Sequence, residues 1–183
     1  MITRLLALGI FSSLISHLAN ATCLPMFDQT MRKLHSQDSV NLCELTTQKP
    51  VLVVNTASHC GFTPQFRELE ALHQQFGEQG LVVLGFPSND FRQESKDESE
   101  TAEVCYRNYG VSFTMLAPGA VRGADANPVF KQLASASKAP SWNFNKYLVD
   151  TQGQVTHYAS TIKPQSAQLV SDVEQALQAT AAP

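Results

Sequence analysis

The chain has 183 residues and a formal net charge of −3, with 43% hydrophobic and 16% charged residues. This length suits one domain or a small pair, and the apolar fraction is large enough for a core, which excludes a disordered chain. The sequence has no run of Lys or Arg, so we do not expect nucleic-acid binding by phosphate neutralisation. Its four cysteines include no C-x-x-C arrangement, which disfavours dithiol redox motifs and zinc ribbons.

Residues 1–21 have the pattern of a secretory signal peptide. Arg4 supplies a positive charge, an apolar stretch follows, and residues 19–21, Ala-Asn-Ala, match an A-x-A cleavage site. The stretch is short and interrupted by Ser and His, so we expect no stable membrane insertion; an uncleaved anchor is the alternative. We therefore predict an exported protein, periplasmic or secreted, whose mature chain, residues 22–183, forms one domain.

The segment from residue 26 to residue 49 predicts a β-hairpin with its turn at residues 36–39. Cys23 precedes this segment and Cys43 lies near its end. Export favours a disulfide between them, because bridges persist in oxidising compartments; two free, buried thiols are the alternative. Such a bridge would close a loop of about 20 residues and add about 3 kcal/mol of stability in the chain-entropy model.

Two buried strands with a helix between them are predicted next. Residues 51–54 and 81–86 are continuous apolar runs, as expected for strands that are buried on both faces. Thr63 is predicted as the N-cap and Pro64 as the first residue of an amphipathic helix, which ends at one of the two following glycines. This unit is typical of a parallel sheet with a right-handed crossover.

The second half of the chain predicts three helices and an antiparallel hairpin. The first helix follows a charged stretch and carries Cys105 on its apolar face. The order of elements is typical of a single α/β domain with helices on both faces of the sheet. The predicted ranges are 102–109 and 127–136 for the first two helices, 144–149 and 155–159 for the hairpin, and 166–177 for the last helix.

Cys60 is the candidate nucleophile. It lies in the loop between a predicted strand and the N-terminus of a helix, where partial positive charge favours the thiolate over the thiol. The following residue, Gly61, lets the backbone pass close to a ligand. On position alone, a structural buried cysteine is an equal alternative.

Three motifs in the sequence resemble those of the glutathione peroxidase family, and in the same order. Residues 55–63, Asn-Thr-Ala-Ser-His-Cys-Gly-Phe-Thr, resemble the active-site loop. Residues 85–91, Gly-Phe-Pro-Ser-Asn-Asp-Phe, resemble the second motif, and residues 142–150, which begin Trp-Asn-Phe-Asn-Lys, resemble the third. The resemblance implies a thioredoxin fold, with a central mixed sheet flanked by helices, and the reduction of hydroperoxides. We expect no metal and no organic cofactor.

The resemblance also implies roles for particular residues. Cys60 would be the peroxidatic cysteine, and Trp142 and Asn143 would donate hydrogen bonds beside it. The fourth position holds Asp90 where the family usually has Gln, and an ionised Asp accepts hydrogen bonds but cannot donate them. Asp90 could therefore be protonated, turned away, or replaced in function by the nearby Gln93.

Cys105 resembles the resolving cysteine of the two-cysteine, thioredoxin-dependent branch; a small residue on an apolar helix face is the alternative. It would condense with a sulfenic acid at Cys60, which requires its helix to unwind locally. Glutathione would need basic residues beside Cys60 to bind its carboxylates, but no Lys or Arg flanks Cys60, and Arg67 is the closest cation in sequence. A thioredoxin-like dithiol protein is therefore favoured over glutathione as the reductant. The short connection between Pro118 and Pro128 lacks the long insertion of tetrameric members, which favours a monomer.

Two other functions compete with a peroxidase. A copper-binding module would use Cys60 with His59, because thiolate and imidazole suit copper, but paired-cysteine spacing is missing. A thiol–disulfide oxidoreductase that acts on proteins would be expected to contain C-x-x-C. The favoured prediction is an exported thiol peroxidase that takes part in the response to oxidative stress.

Overall fold

The computed structural model describes residues 23–181, so the predicted signal peptide lies outside the described residues. None of the helices in the described part of the chain is both long and apolar enough to cross a membrane. The strands are β1 (Thr30–Arg32), β2 (Ser39–Asn41), β3 (Val51–Thr56), β4 (Val82–Pro87), β5 (Thr114–Met115), β6 (Lys146–Val149) and β7 (Val155–Tyr158). The α-helices are α1 (Leu42–Thr46), α2 (Gln65–Phe76), α3 (Glu98–Ala102), α4 (Pro128–Ala136) and α5 (Ala167–Ala181).

Five of the strands form a mixed sheet in the order β5-β4-β3-β6-β7, with β3 at its centre. β3 pairs in parallel with β4, and β4 with β5, whereas β6 is antiparallel to both β3 and β7. α2 connects β3 to β4, which confirms the predicted strand–helix–strand unit. β5 was not predicted, because two residues are too short to show a periodic pattern.

The core is divided by the sheet into two apolar clusters. Leu52 and Val54 belong to one cluster and Val51 and Val53 to the other, because successive side chains of a strand point to opposite faces. We call the first side the α2 face, since α2 and α5 cover it, and the second the α4 face, since α4 covers it. All of β3 is buried, which explains its continuous apolar sequence.

The N-terminal hairpin forms from β1 and β2, but it is shorter than predicted and α1 follows it directly. The Oδ1 of Asn41 caps α1 by accepting the N–H of Cys43 at 3.0 Å. Cys43 therefore lies on a helix and not at a strand end. It forms a disulfide with Cys23, with 5.4 Å between the Cα atoms. This confirms the pairing that was predicted from the expected export of the protein.

The later elements agree with their predicted ranges to within a few residues, except around Cys105. That helix begins earlier than predicted, at Glu98, within the charged stretch, where Oδ1 of Asp97 caps it by accepting the N–H of Ser99 at 2.9 Å. It then changes from an α-helix to a π-helix over Glu103–Asn108. Such π-helical turns are rare in proteins, and those that occur often lie at functional sites.

Candidate active site

Cys60 lies in a turn after the carboxyl end of β3, with only 6% of its surface exposed. Its sulfur accepts the N–H of Phe62 at 3.4 Å. The Oγ1 of Thr63 accepts the N–H of Cys60 at 3.0 Å and donates to the carbonyl oxygen of Ala57 at 2.8 Å. Thr63 was predicted as the N-cap of α2, which is wrong: α2 begins at Gln65 without a side-chain cap, and the threonine closes the cysteine turn instead.

Trp142 and Asn143 precede β6 and are fastened to β3 through Asn55. The Nδ2 of Asn55 donates to the carbonyl oxygen of Trp142 at 3.0 Å, and its Oδ1 accepts the N–H of Asn145 at 3.1 Å. The indole of Trp142 is 42% exposed and lies 5.4 Å from the ring of Phe91, between centroids. The third motif is thus joined to the strand that leads into the Cys60 turn.

Gln93 lies between the Cys60 turn and the third motif. The fully buried Asn143 donates from Nδ2 to Oε1 of Gln93 at 3.0 Å, and the carbonyl oxygen of Gln93 accepts the N–H of His59 at 2.9 Å. The Oδ1 of Asn143 is buried and has no hydrogen-bond partner within residues 23–181. An unpartnered buried acceptor costs stability, which is typical of a side chain kept for function.

Asp90 is turned toward a different loop. Its Oδ2 accepts the N–H of Val121 at 2.7 Å and the N–H of Arg122 at 3.0 Å. The guanidinium of Arg122 lies 5.1 Å from the centre of the Phe91 ring. Of the three possibilities for Asp90, this arrangement corresponds to a carboxylate that is turned away and holds a loop. Gln93 is the side chain that contacts Asn143.

Cys105 is completely buried on the π-helical stretch. Its thiol donates to the carbonyl oxygen of Ala102 at 3.7 Å. Burial raises the pKa of Cys105 to about 12, so the thiol is protonated at neutral pH. Cys60 and Cys105 both belong to the apolar cluster on the α2 face, and both are free.

The family model of glutathione peroxidase matches residues 26–134, a range that includes Cys60, Gln93 and Cys105. The chain belongs to the glutathione peroxidase family. A glutathione peroxidase-like peroxiredoxin from Chlamydomonas reinhardtii is 49% identical over 138 residues, which cover 72% of this chain and 84% of that protein. A hydroperoxy fatty acid reductase from Synechocystis is 42% identical over 142 residues, which cover 70% of this chain and 83% of that protein.

Solved structures support the same assignment. The crystal structure of Trgpx in its apo form has a TM-score of 0.66 at 31% identity and covers 86% of this chain and 97% of its own. A secreted Mycobacterium tuberculosis disulfide oxidoreductase has a TM-score of 0.56 at 15% identity, covering 84% of this chain and 97% of its own. At that identity the likeness shows the fold alone, and the predicted thioredoxin-type fold is confirmed.

Lys146 is completely buried, and the sequence motifs predicted no role for its side chain. Its Nζ donates to Oε1 of Gln65 at 2.8 Å and to the carbonyl oxygen of Phe144 at 2.7 Å. Gln65 begins α2, and Phe144, with φ of 59°, follows Asn143, so the amine ties the helix to the Asn143 turn. Burial lowers the pKa of Lys146 to about 7. In the sequence, the sign that Lys146 has a special role is a single cationic residue within a mostly apolar predicted strand.

His59 and Cys60, the pair considered for copper, lie in different environments. His59 is exposed, whereas Cys60 is buried. Within the described part of the chain, no three His, Cys, Asp or Glu residues are grouped so that they could hold a metal ion. No feature of this region therefore argues for the copper-binding alternative.

Proposed function

We propose that this protein is a thiol peroxidase that reduces hydrogen peroxide or organic hydroperoxides through Cys60. The observation that carries the proposal is the contact of Gln93 with both the Cys60 turn and the amide of Asn143. Membership of the glutathione peroxidase family supports the proposal, as do relatives named as peroxiredoxins and as a hydroperoxy fatty acid reductase.

The first step is attack by the thiolate of Cys60 on one oxygen of the peroxide. The O–O bond breaks, the sulfur becomes a sulfenic acid, and the other oxygen leaves as hydroxide or alkoxide and takes up a proton. The developing negative charge needs positioned N–H donors. Asn143 and Trp142 carry such donors, in an amide and an indole.

Gln93, and not Asp90, supplies the remaining donor in this proposal. The Oε1 of Gln93 accepts a hydrogen bond from Asn143, which leaves the Nε2 hydrogens for the departing oxygen. The Oδ2 of Asp90 is occupied by the N–H groups of Val121 and Arg122. An amide remains a donor at every pH, so this exchange preserves the chemistry that Gln gives the family.

Cys105 completes the cycle as the resolving residue. Its thiol attacks the sulfenic acid at Cys60, a disulfide forms, and hydroxide leaves and takes up the thiol proton as water. Because burial raises the pKa of Cys105 to about 12, the cysteine must leave its buried position to react as a thiolate. Its π-helical surroundings support local unwinding, since π-turns have unusual hydrogen bonding.

A thioredoxin-like dithiol protein is the proposed reductant, in preference to glutathione. Glutathione presents two carboxylates that require cations near the reactive sulfur. Arg67, the closest cation in sequence to Cys60, is stacked over the ring of Tyr109 at 4.6 Å from its centre. A dithiol protein needs no carboxylate clamp, because it reduces the Cys60–Cys105 disulfide by thiol–disulfide exchange.

Export and a monomeric state are also part of the proposal. The Cys23–Cys43 disulfide supports an oxidising compartment such as the periplasm, where bridges persist. Cleavage of the predicted signal peptide after Ala21 would leave a mature domain of residues 22–183. N-terminal sequencing of the exported protein should begin at Thr22, and light scattering should give the mass of one mature chain; an uncleaved N-terminus or a larger mass contradicts these statements.

The decisive experiment compares Cys60→Ser, Cys105→Ser and the parent in steady-state peroxide consumption. With a thioredoxin-type reductant the parent should turn over, and Cys60→Ser should fall to the uncatalysed rate. Cys105→Ser should still react once with peroxide but should not be recycled by the dithiol protein. His59→Ala is the matched control, because its exposed side chain belongs only to the copper alternative. Turnover of Cys60→Ser at the parent rate contradicts the proposal, and faster recycling of the parent by glutathione contradicts the choice of reductant.

A further inference from the structure

Glu94 is a buried carboxylate that the chemistry above does not use. It is 7% exposed, and its Oε1 accepts hydrogen bonds from Oγ of Ser58, from Oγ1 of Thr101 at 2.9 Å and from the N–H of Ser95 at 2.7 Å. Its Oε2 is buried without a hydrogen-bond partner, and Glu94 forms no ion pair within residues 23–181. Burying a carboxylate in this way is costly, so the residue requires an explanation.

Two of the three hydrogen bonds to Glu94 join the Cys60 turn to the helix that leads into Cys105. Ser58 belongs to the Cys60 turn, and Thr101 belongs to α3, one residue before α3 ends at Ala102. Both hydroxyls bind the same oxygen atom, so the turn and the end of α3 are held together at one point. Both side chains are buried, which protects these hydrogen bonds from water.

The helix around Cys105 has two parts that are held very differently. α3 is capped by Asp97 and held in place by Glu98. The carboxylate of Glu98 accepts hydrogen bonds from both terminal nitrogens of Arg32, at 2.9 and 2.7 Å. The π-helical stretch that follows has mostly exposed side chains, and only Cys105 among them is buried. The fastened part therefore ends at the Glu94 contact, directly before the stretch that has to open.

We infer that Glu94 is a positioning residue that fixes α3 to the Cys60 turn, so that resolution requires unwinding only of the π-helical stretch. From Ala102, three extended residues carry the Cα of Cys105 about 10 Å. From Ser58, two residues lead about 7 Å to Cys60. Ser58 and Thr101 bind one oxygen, which keeps the Cys60 turn close to the end of α3. We therefore expect the two sulfurs to meet while α3 stays folded. This inference rests on the proposed resolving role of Cys105.

Thr101→Val tests the inference without changing the Cys60 turn. The valine keeps the shape of threonine but cannot donate to Glu94, and Thr101→Ser, which keeps the hydroxyl, is the matched control. After one equivalent of hydrogen peroxide, rapid quenching and mass spectrometry separate the formation of sulfenic acid at Cys60 from its condensation with Cys105. Hydrogen–deuterium exchange of the oxidised protein then reports which part of residues 98–108 has opened.

In the parent, oxidation should expose residues 103–108 to exchange while residues 98–102 remain protected. Thr101→Val should form sulfenic acid at the parent rate but condense about tenfold more slowly, equivalent to about 1.4 kcal/mol, and should lose protection over residues 98–102. Thr101→Ser should restore both properties. A lower melting temperature alone would not change the ratio of the two steps.

Condensation of Thr101→Val at the parent rate, or exchange throughout residues 98–108 in the oxidised parent, overturns the positioning role and leaves the peroxidase proposal intact. A second contradicting result is that the parent itself accumulates sulfenic acid and never forms the Cys60–Cys105 disulfide. That result overturns the resolving role of Cys105 and the positioning role of Glu94 together.

Discussion

The two cysteine pairs of this chain lie in different parts of the fold and are in different states. Cys23 and Cys43 are bonded, and Cys23 packs beside the α4 face, next to the N-terminal hairpin. Cys60 and Cys105 are free and share the apolar cluster on the α2 face, one in a turn and the other in a π-helical stretch. In the proposed cycle, one even set of cysteines serves both stability and chemistry. The bonded pair joins segments that need not move, whereas the free pair reacts after the helix around Cys105 unwinds.

Substitutions in the two regions should therefore have opposite effects. A change near the free pair should alter peroxide reduction with little effect on stability, and a change at the bonded pair should do the reverse. Four predictions, ordered from the largest expected effect to the smallest, test how far this separation holds.

Asn143→Ala should lower kcat/KM for hydroperoxide by about a hundredfold to a thousandfold, or about 2.7–4 kcal/mol, the usual effect of removing one donor to a developing oxyanion. The melting temperature should change little, because within residues 23–181 the side chain of Asn143 donates a hydrogen bond to Gln93 alone. Asn127→Ala is the matched control: it removes the cap of α4, where Oδ1 accepts the N–H of Phe130, and should cost about 1 kcal/mol of stability without changing kcat/KM. Equal kcat/KM for Asn143→Ala and the parent would remove the donor role.

The double variant Cys23→Ala/Cys43→Ala should lose about 3 kcal/mol of unfolding free energy, because the open loop regains entropy in the unfolded chain. The rate at which Cys60 reacts with peroxide should not change. Urea unfolding and single-turnover kinetics on the same samples measure the two quantities. A folded variant that has lost its peroxide reaction would show that the bonded pair also supports the chemistry.

Asp90→Asn should cost about 1 kcal/mol of stability, because a neutral amide oxygen is a weaker acceptor than a carboxylate for the N–H groups of Val121 and Arg122. Peroxide turnover should remain at the parent level. Gln93→Ala provides the comparison and should reduce turnover about tenfold, near 1.4 kcal/mol of transition-state stabilisation. If Asp90→Asn lost activity and Gln93→Ala kept it, the donor would be Asp90.

Lys146 gives the stability of the protein a characteristic pH dependence. Its pKa is lowered to about 7 in the folded state, so above that pH the unfolded state binds more protons and stability rises with pH. The pKa of Cys105 is raised from 9.0 to about 12, so above pH 9 the folded state binds more protons at this thiol and stability falls with pH. The rise in stability due to Lys146 is therefore expected between pH 7 and pH 9. Melting temperatures should increase across this range in the parent and stay flat in Lys146→Met; the same slope in both would contradict the assignment.

Much of the fold and of the site follows from local sequence, and the remainder depends on contacts that local sequence does not contain. β3 and β4 are continuous apolar runs, and Cys60 lies in a motif that can be recognised without a structure. The hydroxyl of Thr63 also fits a helix cap, and only the packed turn shows that it binds Cys60 and Ala57 instead.

The same limit applies to Gln93, Glu94 and the π-helix. Gln93 meets Asn143 across a separation of 50 residues, and Glu94 meets Ser58 across 36, so neither contact has a periodic pattern in the sequence. No residue pattern marks the change from α-helix to π-helix after Ala102, since the same residues fit an ordinary amphipathic helix. These features arise from tertiary packing.

Mapping the disulfides after one equivalent of hydrogen peroxide tests the central contrast most directly. The reduced active site should be converted to a Cys60–Cys105 disulfide, while the Cys23–Cys43 disulfide remains as it was, and addition of a thioredoxin-type reductant should open only the first of the two. Persistent sulfenic acid at Cys60 with Cys105 still open to alkylation, or exchange of partners between the two pairs, would contradict the account.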